Sequence, residues 1–377
     1  MISTLQQENL SADTDEPVNI TIQRRSILSS TSRAIGRKSF SFLQRVTINF
    51  SGEDAVDGGG PKREYFRLLM AAIKEMGIFD GQWFSHDLTL LQDNKYFIAG
   101  KLVGWSIVQG GPGPRCLAEE AYRVLCGKPC LLSSAIEIVS DSRLKAILDE
   151  IQNCVTVEDF DALVQKHGDD ISSYGFSRIY LSKLSDKDDV LKCLLRQHFV
   201  FGVQAEIDQF FDGLNHVAGL GAMLKKHFCL FQSFLSTNVL PLVLSVFKTL
   251  YKLCWSPEGS NARAAEDTTI YSWELFLQDA EEKQVDVSIQ DVLVFITGAD
   301  EVPPLGLPKL IDIYFYNYDD QCKRRPFVST CALTLHLPRG FDNPEEFSKM
   351  MTECILNSPD LANSKILENL KFEHLLG

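Results

Sequence analysis

The sequence predicts an α+β protein in two lobes: a larger, mainly helical one, and a smaller one that mixes strands with helix and carries Cys331. Three observations predict it. Apolar residues recur at helical spacing from Tyr65 to Met76 and again across residues 131–211. Strand-length apolar runs crowd the C-terminal part, at Val292–Ile296, at Leu310–Tyr316 and just after Cys331. Between these regions lies a small, polar, aperiodic stretch, residues 256–267, which has the composition of a linker.

Residues 1–40 are rich in Ser, Thr, Asp and Gln, show no apolar periodicity, and are expected to form a disordered tail. Within them Arg24, Arg25, Arg33, Arg37 and Lys38 make a basic stretch without acids. It reads as a solvated linker or as a nuclear-import or anionic-surface patch. Residues 41–255 are expected to build the larger lobe. Tyr65, Leu68, Leu69, Ala72, Ile73 and Met76 share one helical stripe, and Gly77 supplies the stop. Gly58-Gly59-Gly60-Pro61 lacks the Gly-Lys-Ser/Thr ending of a phosphate loop, so it shapes a strand-to-helix turn. Residues 110–114, Gly-Gly-Pro-Gly-Pro, separate two helices. Thr156 caps a helix, with Asp159 answering at the third position ahead of Phe160 and Leu163. Lys187 to Phe211 reads as one long helix.

The smaller lobe is expected over residues 268–377. Val292–Ile296 and Leu310–Tyr316 are read as strands, and a third strand follows Cys331. A helix then opens with Asn343 as cap, Pro344 at the first position, and Glu345 and Glu346 at the positive end of the dipole. Phe347, Met350, Met351, Cys354 and Ile355 make its buried stripe.

Composition excludes several classes. A chain of 377 residues with 45% hydrophobic content is long enough for a sizeable core. It contains no apolar run of about 18 residues, so no membrane span is expected, and residues 1–9 lack the basic and apolar regions of a secretory signal. A net charge of −13 argues against a nucleic-acid-binding body and is compatible with a basic protein partner. Ten cysteines without regular spacing point to reduced thiols in a cytoplasmic or nuclear setting. Cys126 and Cys130 are the nearest approach to a metal pair, but no second Cys/His pair lies close by, so neither metal nor cofactor is expected.

Residues 323–338 hold the most specific pattern. A basic turn of Lys323, Arg324 and Arg325 runs through Pro326 to Cys331, and alternation follows at once. Cys331, Leu333, Leu335 and Leu337 are expected on one side, with Ala332, Thr334 and His336 on the other. A thiol where a loop enters a strand suits a nucleophile, and it equally suits a buried cysteine at a strand end. The basic turn either raises the thiolate fraction or is simply solvated. The remaining cysteines read as structural: Cys354 on its stripe, and Cys193, Cys229 and Cys254 in apolar helical stretches. Cys322 is the other plausible exposed thiol. His198, His216 and His227 are too scattered to be ligands.

Thr330-Cys331 followed by an apolar strand ending Leu335-His336-Leu337-Pro338 resembles the active-site segment of the HECT family of ubiquitin ligases. Three further places agree in order. Residues 46–66, with Gly58-Gly59-Gly60-Pro61-Lys62-Arg63-Glu64, are similar to the family's opening strand, acidic glycine turn and first helix. Residues 100–107 and 210–215 resemble two helices of its larger lobe. Residues 295–304 resemble the strand-turn before the cysteine, and Cys331 stands thirty-three positions after Gly298, as that layout expects. The Thr297-Gly298-Ala299-Asp300 wording is most like the G2/M-phase-specific branch.

The resemblance implies a bilobal HECT-like fold with a hinge near residues 256–267. It implies a transferase that accepts ubiquitin from a conjugating enzyme (E2) as a thioester on Cys331 and passes it to a substrate lysine. Residues 131–200 become the candidate E2-docking region, shorter than the family's usual one. Lysine transfer calls for a nearby carboxylate, with Asp300, Glu301, Asp319 and Asp320 as candidates. The alternative is a HECT-like scaffold or interaction module that keeps the fold without transfer. Its supports are the shortened docking region and the altered tail, with His374 where relatives often place a phenylalanine and Phe372 nearby; Val328 and Ser329 before Thr330 also depart from many relatives and bear on lysine transfer. A cysteine hydrolase fits poorly, because it needs a His base and no family signature such as a Cys-Gly-x-Cys-Trp segment is present. No recruitment domain is recognised before the lobes. Substrates are therefore expected to bind the lobes, to arrive through a partner, or to be recruited by a domain outside this chain.

Overall fold

The computed structural model describes residues 17–52, 59–132, 135–237, 242–302, 306–317 and 325–358. The chain divides into two compact units. One comprises Met1–Leu69, Gln109–Pro112 and Leu240–Gly377; the other comprises Met70–Val108 and Gly113–Val239. The expected boundary near residues 256–267 falls inside the first unit.

The first unit opens with β1 (Val18–Ile22), a helix Ile27–Ile35, and β2 (Val46–Phe50), which pairs parallel to β1 from Val18↔Val46 to Ile22↔Phe50. This corrects the expected disordered tail from residue 17 onward. Val18, Ile20 and Ile22 alternate at period two, and Ile20 and Ile22 are buried. Ile27, Thr31 and Ala34 then line the buried face of the helix. The burial is real but short, and five-residue strands carry too few apolar positions to stand out against polar neighbours. Residues 1–16 lie outside the described residues.

The rest of this unit is a four-stranded sheet covered by helices. β5 (Tyr251–Leu253), β6 (Ile311–Tyr316), β7 (Phe327–Ser329) and β8 (Thr334–Pro338) lie in the order β5-β6-β8-β7. β6 runs parallel to β5 and β8, and β7 is antiparallel to β8. Ile311, Ile313, Leu335 and Leu337 enter one core with Trp273, Phe276 and Leu277 of the helix Asn261–Glu281. Val292, Leu293 and Ile296 of the helix Ile289–Thr297, and Phe347, Met351 and Ile355 of the helix Pro344–Leu356, complete it. The last helix is capped as expected, Asn343 accepting from the N–H groups of Glu345 and Glu346.

Two expectations fail here for identifiable reasons. Val292–Ile296 is helical, not a strand. Ser288 and Asp291 form a capping box and Gly298, at φ 75°, closes the helix. An apolar run buried on every side has no period by which helix and strand can be told apart. The second half of the expected linker is also helix, beginning at Asn261 after the Ser260 cap. Ala262, Ala264 and Ala265 favour helix without adding an apolar stripe.

The second unit is almost wholly helical, with a two-stranded turn of β3 (Phe79–Asp80) and β4 (Trp83–Phe84). Its centre is the helix pair Lys95–Val108 and Gln204–His216. These two approach so closely that a Cβ on Gly100 would stand 2.1 Å from the Phe210 carbonyl oxygen, and one on Gly213 would stand 2.2 Å from that of Phe97. Backbone cannot yield as a flexible side chain does. Gly100→Ala is therefore expected to destabilise the protein by about 2–3 kcal/mol, the cost of overpacking. Urea unfolding measures it, and an unchanged midpoint contradicts the close approach.

The helices Ser142–Asn153, Val157–Ser173 and Lys187–Phe199 form the middle region. Thr156 and Asp159 make the expected capping box. The single long helix expected from Lys187 to Phe211 is interrupted. Val200 leaves helical geometry at φ −123°, ψ −65°, and a short 3-10 turn Phe201–Val203 leads into Gln204–His216. A Cβ on Gly202 would stand 2.8 Å from the Gln197 carbonyl oxygen, so glycine is what fits there. No helix among the described residues is long and apolar enough to cross a membrane.

Candidate functional site: the Cys331 hairpin

Cys331 lies in the loop of a β-hairpin rather than on a strand. β7 and β8 pair from Phe327↔His336 to Ser329↔Thr334, and residues 330–333 form the connection. The expected alternation therefore begins at Leu333, and Cys331 does not share its row. β7 escaped the sequence reading because three residues are too few to show a period. Leu333 makes the reversal at φ 51°, a left-handed conformation uncommon for a branched side chain. It is held there by its 1% exposed side chain in the core and by its carbonyl oxygen, which accepts from the Asp312 N–H at 3.0 Å. A strained residue two places from a half-buried thiol suits a reactive loop. The Ser329 hydroxyl closes the turn, accepting from the Ala332 N–H at 3.3 Å.

The loop is anchored by a side chain the sequence reading did not single out. Arg63 Nε donates to the Thr297 carbonyl oxygen at 2.8 Å, and its Nη2 donates to the Thr330 carbonyl oxygen. One guanidinium thus ties the residue before Cys331 to the end of the helix Ile289–Thr297. Gly60 fits beneath the loop: a Cβ there would stand 2.1 Å from Thr330 Oγ1 and 3.1 Å from the Cys331 nitrogen. The neighbouring Glu64 is buried and receives two hydrogen bonds from Arg24, the one from Nη2 to Oε2 measuring 2.9 Å. Arg24 also lies over the Phe50 ring, 3.8 Å from its centre. Arg24 is thus engaged and not solvated, whereas Arg25, Arg33, Arg37 and Lys38 are exposed. The available signal was the pair Arg63-Glu64 directly after the glycine turn.

On the far side of the sheet from the core, Tyr314, His336 and Phe327 stand opposite one another across β6, β8 and β7. The Phe327 and His336 rings stack at 4.4 Å, and Tyr314 and His336 at 5.4 Å. Burial lowers the His336 pKa, favouring the neutral ring.

The other predicted residues divide. Asp300 and Glu301 lie in the turn after Gly298, which Arg63 links to the cysteine loop. Asp319, Asp320, Cys322, Lys323, Arg324, Phe372 and His374 lie outside the described residues. Arg325 is exposed and pairs with Glu353 at 3.1 Å. Burial pushes the Cys116 thiol up to about 12 and Cys126 up to about 11, and also raises Cys130, Cys154, Cys193 and Cys354. Those thiols are disfavoured as nucleophiles. Two structural readings need correction. Cys229 is exposed on its helix, and Cys254 follows strand β5 instead of lying in a helix.

The sequence matches the HECT-domain (ubiquitin-transferase) family over residues 64–362, a span that includes both the Arg63-linked helix and the Cys331 hairpin. The chain belongs to this family. It is similar to the G2/M phase-specific E3 ubiquitin-protein ligase of Gallus gallus, 25% identical over 296 residues, covering 76% of this chain and 39% of that protein. The Homo sapiens protein of the same name is 25% identical over 354 residues, 89% of this chain and 46% of its own length. The Homo sapiens probable E3 ubiquitin-protein ligase HERC4 is 24% identical over 354 residues, 88% of this chain and 32% of its own. The chain spans less than half the length of these relatives.

Proposed function

We propose that this chain is a ubiquitin transferase that carries ubiquitin as a thioester on Cys331. The observation that carries the reading is the half-buried thiol in a braced hairpin loop, inside the segment matched to the HECT-domain family. In the first step the Cys331 sulfur attacks the thioester carbonyl on a conjugating enzyme. A new S–C bond forms, the old one breaks, and the departing thiol takes the proton. One thioester replaces another, so positioning rather than acid–base chemistry dominates, and no histidine base is required. In the second step a substrate lysine nitrogen attacks the Cys331 thioester, forming an amide bond and releasing the thiol. That amine must lose a proton, and Asp300 and Glu301 are the described carboxylates in the adjoining turn.

Docking of the conjugating enzyme is assigned to residues 131–200. Leu131, Val155 and Leu181 are 82%, 79% and 85% exposed there, and Val157 and Tyr180 are also exposed. Large apolar side chains so fully in water are suited to a protein partner. Leu181→Asp is expected to slow charging about tenfold, as loss of an apolar anchor does, without changing stability. Equal charging rates for variant and parent contradict the assignment.

The overall reading is tested by mixing the purified chain with activating enzyme, a panel of conjugating enzymes, ATP and labelled ubiquitin, and running gels with and without reductant. A reductant-sensitive adduct supports the transferase. A folded chain that forms none with any conjugating enzyme is instead a HECT-like scaffold.

A further inference from the structure

We infer that Arg63 and Gly60 form a clasp that positions the Cys331 hairpin, and that charging by a folded conjugating enzyme requires this clasp to open. The gating half of the inference rests on Cys331 as the ubiquitin acceptor; the clasp itself rests on geometry alone. Arg63 donates to the Thr330 carbonyl oxygen, one residue before the cysteine, and to the Thr297 carbonyl oxygen at 2.8 Å. Both bonds are charge-assisted and end on backbone, so they locate the main chain of the loop rather than a mobile side chain. Gly60 permits the approach. A Cβ on Gly60 would stand 2.1 Å from Thr330 Oγ1 and 2.9 Å from Thr330 Cβ.

The consequence is selective access. Cys331 is half-buried in this closed arrangement, and the Cys331 nitrogen stands 3.1 Å from the Gly60 Cβ position. The closed loop restricts every approach to such a thiol, and restricts most that of a sulfur held on the surface of another folded protein. Arg63 is therefore a positioning residue. It acts through Thr330, and its release is the step that admits the donor.

The test reads Cys331 directly. The full chain is treated with iodoacetamide, and alkylation rates are followed peptide by peptide by mass spectrometry in the parent, Arg63→Gln and Gly60→Ala. Both variants are expected to raise Cys331 alkylation about tenfold, since each removes or displaces charge-assisted bonds to the loop. Rates at Cys354 and Cys229 stay unchanged. Adding Thr330→Ala to Gly60→Ala removes the nearest clash and is expected to restore most of the protection. The same variants are expected to charge with ubiquitin several-fold faster. Parent-like alkylation of Cys331 in both variants overturns the clasp, as does a rise at every cysteine together. Faster alkylation with unchanged or slower charging overturns the gating. Absence of a ubiquitin adduct from every variant overturns Cys331 as acceptor and the gating with it, while the alkylation rates still decide the clasp.

Discussion

Cys331→Ala is expected to abolish the reductant-sensitive ubiquitin adduct and to leave the protein folded. The loss is complete because no other group in the loop replaces a thiolate. Thr330 and Ser329 carry hydroxyls, which at neutral pH are poor nucleophiles without an adjacent base. The nearby His336 does not supply one in this arrangement, since its ring is stacked between Phe327 and Tyr314. The stability cost is small. Cys331 is half-buried in a hairpin connection, and the core contact of the loop comes from Leu333 instead. The change in unfolding free energy is expected to stay within about 0.5 kcal/mol, as for substitutions away from packed features. Circular dichroism and urea unfolding check the fold; gel assays with and without reductant check the adduct. An adduct that survives in the alanine variant moves the acceptor to another cysteine.

Glu266→Ala has the largest expected effect on stability. Its side chain is fully buried and accepts from the Ser256 N–H at 2.8 Å, the Ser256 hydroxyl at 2.6 Å and Arg339 Nε at 2.8 Å. Arg339 in turn donates to Asn317 Oδ1 at 2.8 Å. The carboxylate thus fastens the start of residues 256–267, the helix Asn261–Glu281 and the end of β8 to one point. Its removal leaves the Ser256 N–H and the Arg339 charge without their acceptor, at a cost of about 3 kcal/mol for breaking a largely buried pair. Burial alone pushes the Glu266 carboxyl up. The Ser256 hydroxyl and N–H, with Arg339, overcome it and hold the group below the ordinary glutamate value. The folded chain therefore binds this proton less readily than the unfolded one. The stabilisation is complete above about pH 4.3, the unfolded glutamate value, and is lost as pH falls through the lower folded value. Glu266→Gln removes that part of the acid dependence. A glutamine variant with the parent's acid transition contradicts the assignment.

The network also bears on the bilobal reading, in which residues 256–267 are a hinge between lobes at residues 41–255 and 268–377. Any hinge motion there has to work around Glu266. Because Glu266 ties Ser256 to the helix Asn261–Glu281, both ends of residues 257–260 are held together, and a hinge there requires the Ser256–Glu266 bonds to break.

Much of the C-terminal part of the chain was legible because its signals are local. Leu310–Tyr316, the strand ending Leu335-His336-Leu337-Pro338, and the helix opening Asn343-Pro344-Glu345-Glu346 each carry their own alternation or cap. Gly77 and the Thr156–Asp159 box were legible for the same reason. What escaped depends on distant partners. Arg63 becomes informative only when folding brings Thr297 and Thr330 to it, more than two hundred residues along the chain. Gly100 and Gly213 take on their meaning only when the two helices touch. The strand Val18–Ile22 needs Val46–Phe50 beside it before its alternation means burial. Cys331 was singled out by its neighbours in sequence, but its place in a hairpin depends on three residues of β7.

The most direct test of the central claim is to trap the charged chain without reductant at low pH, digest it and map the ubiquitin C-terminus by mass spectrometry. The account predicts a thioester on Cys331. A ubiquitin found on another cysteine, or none on a chain shown to be folded, contradicts it.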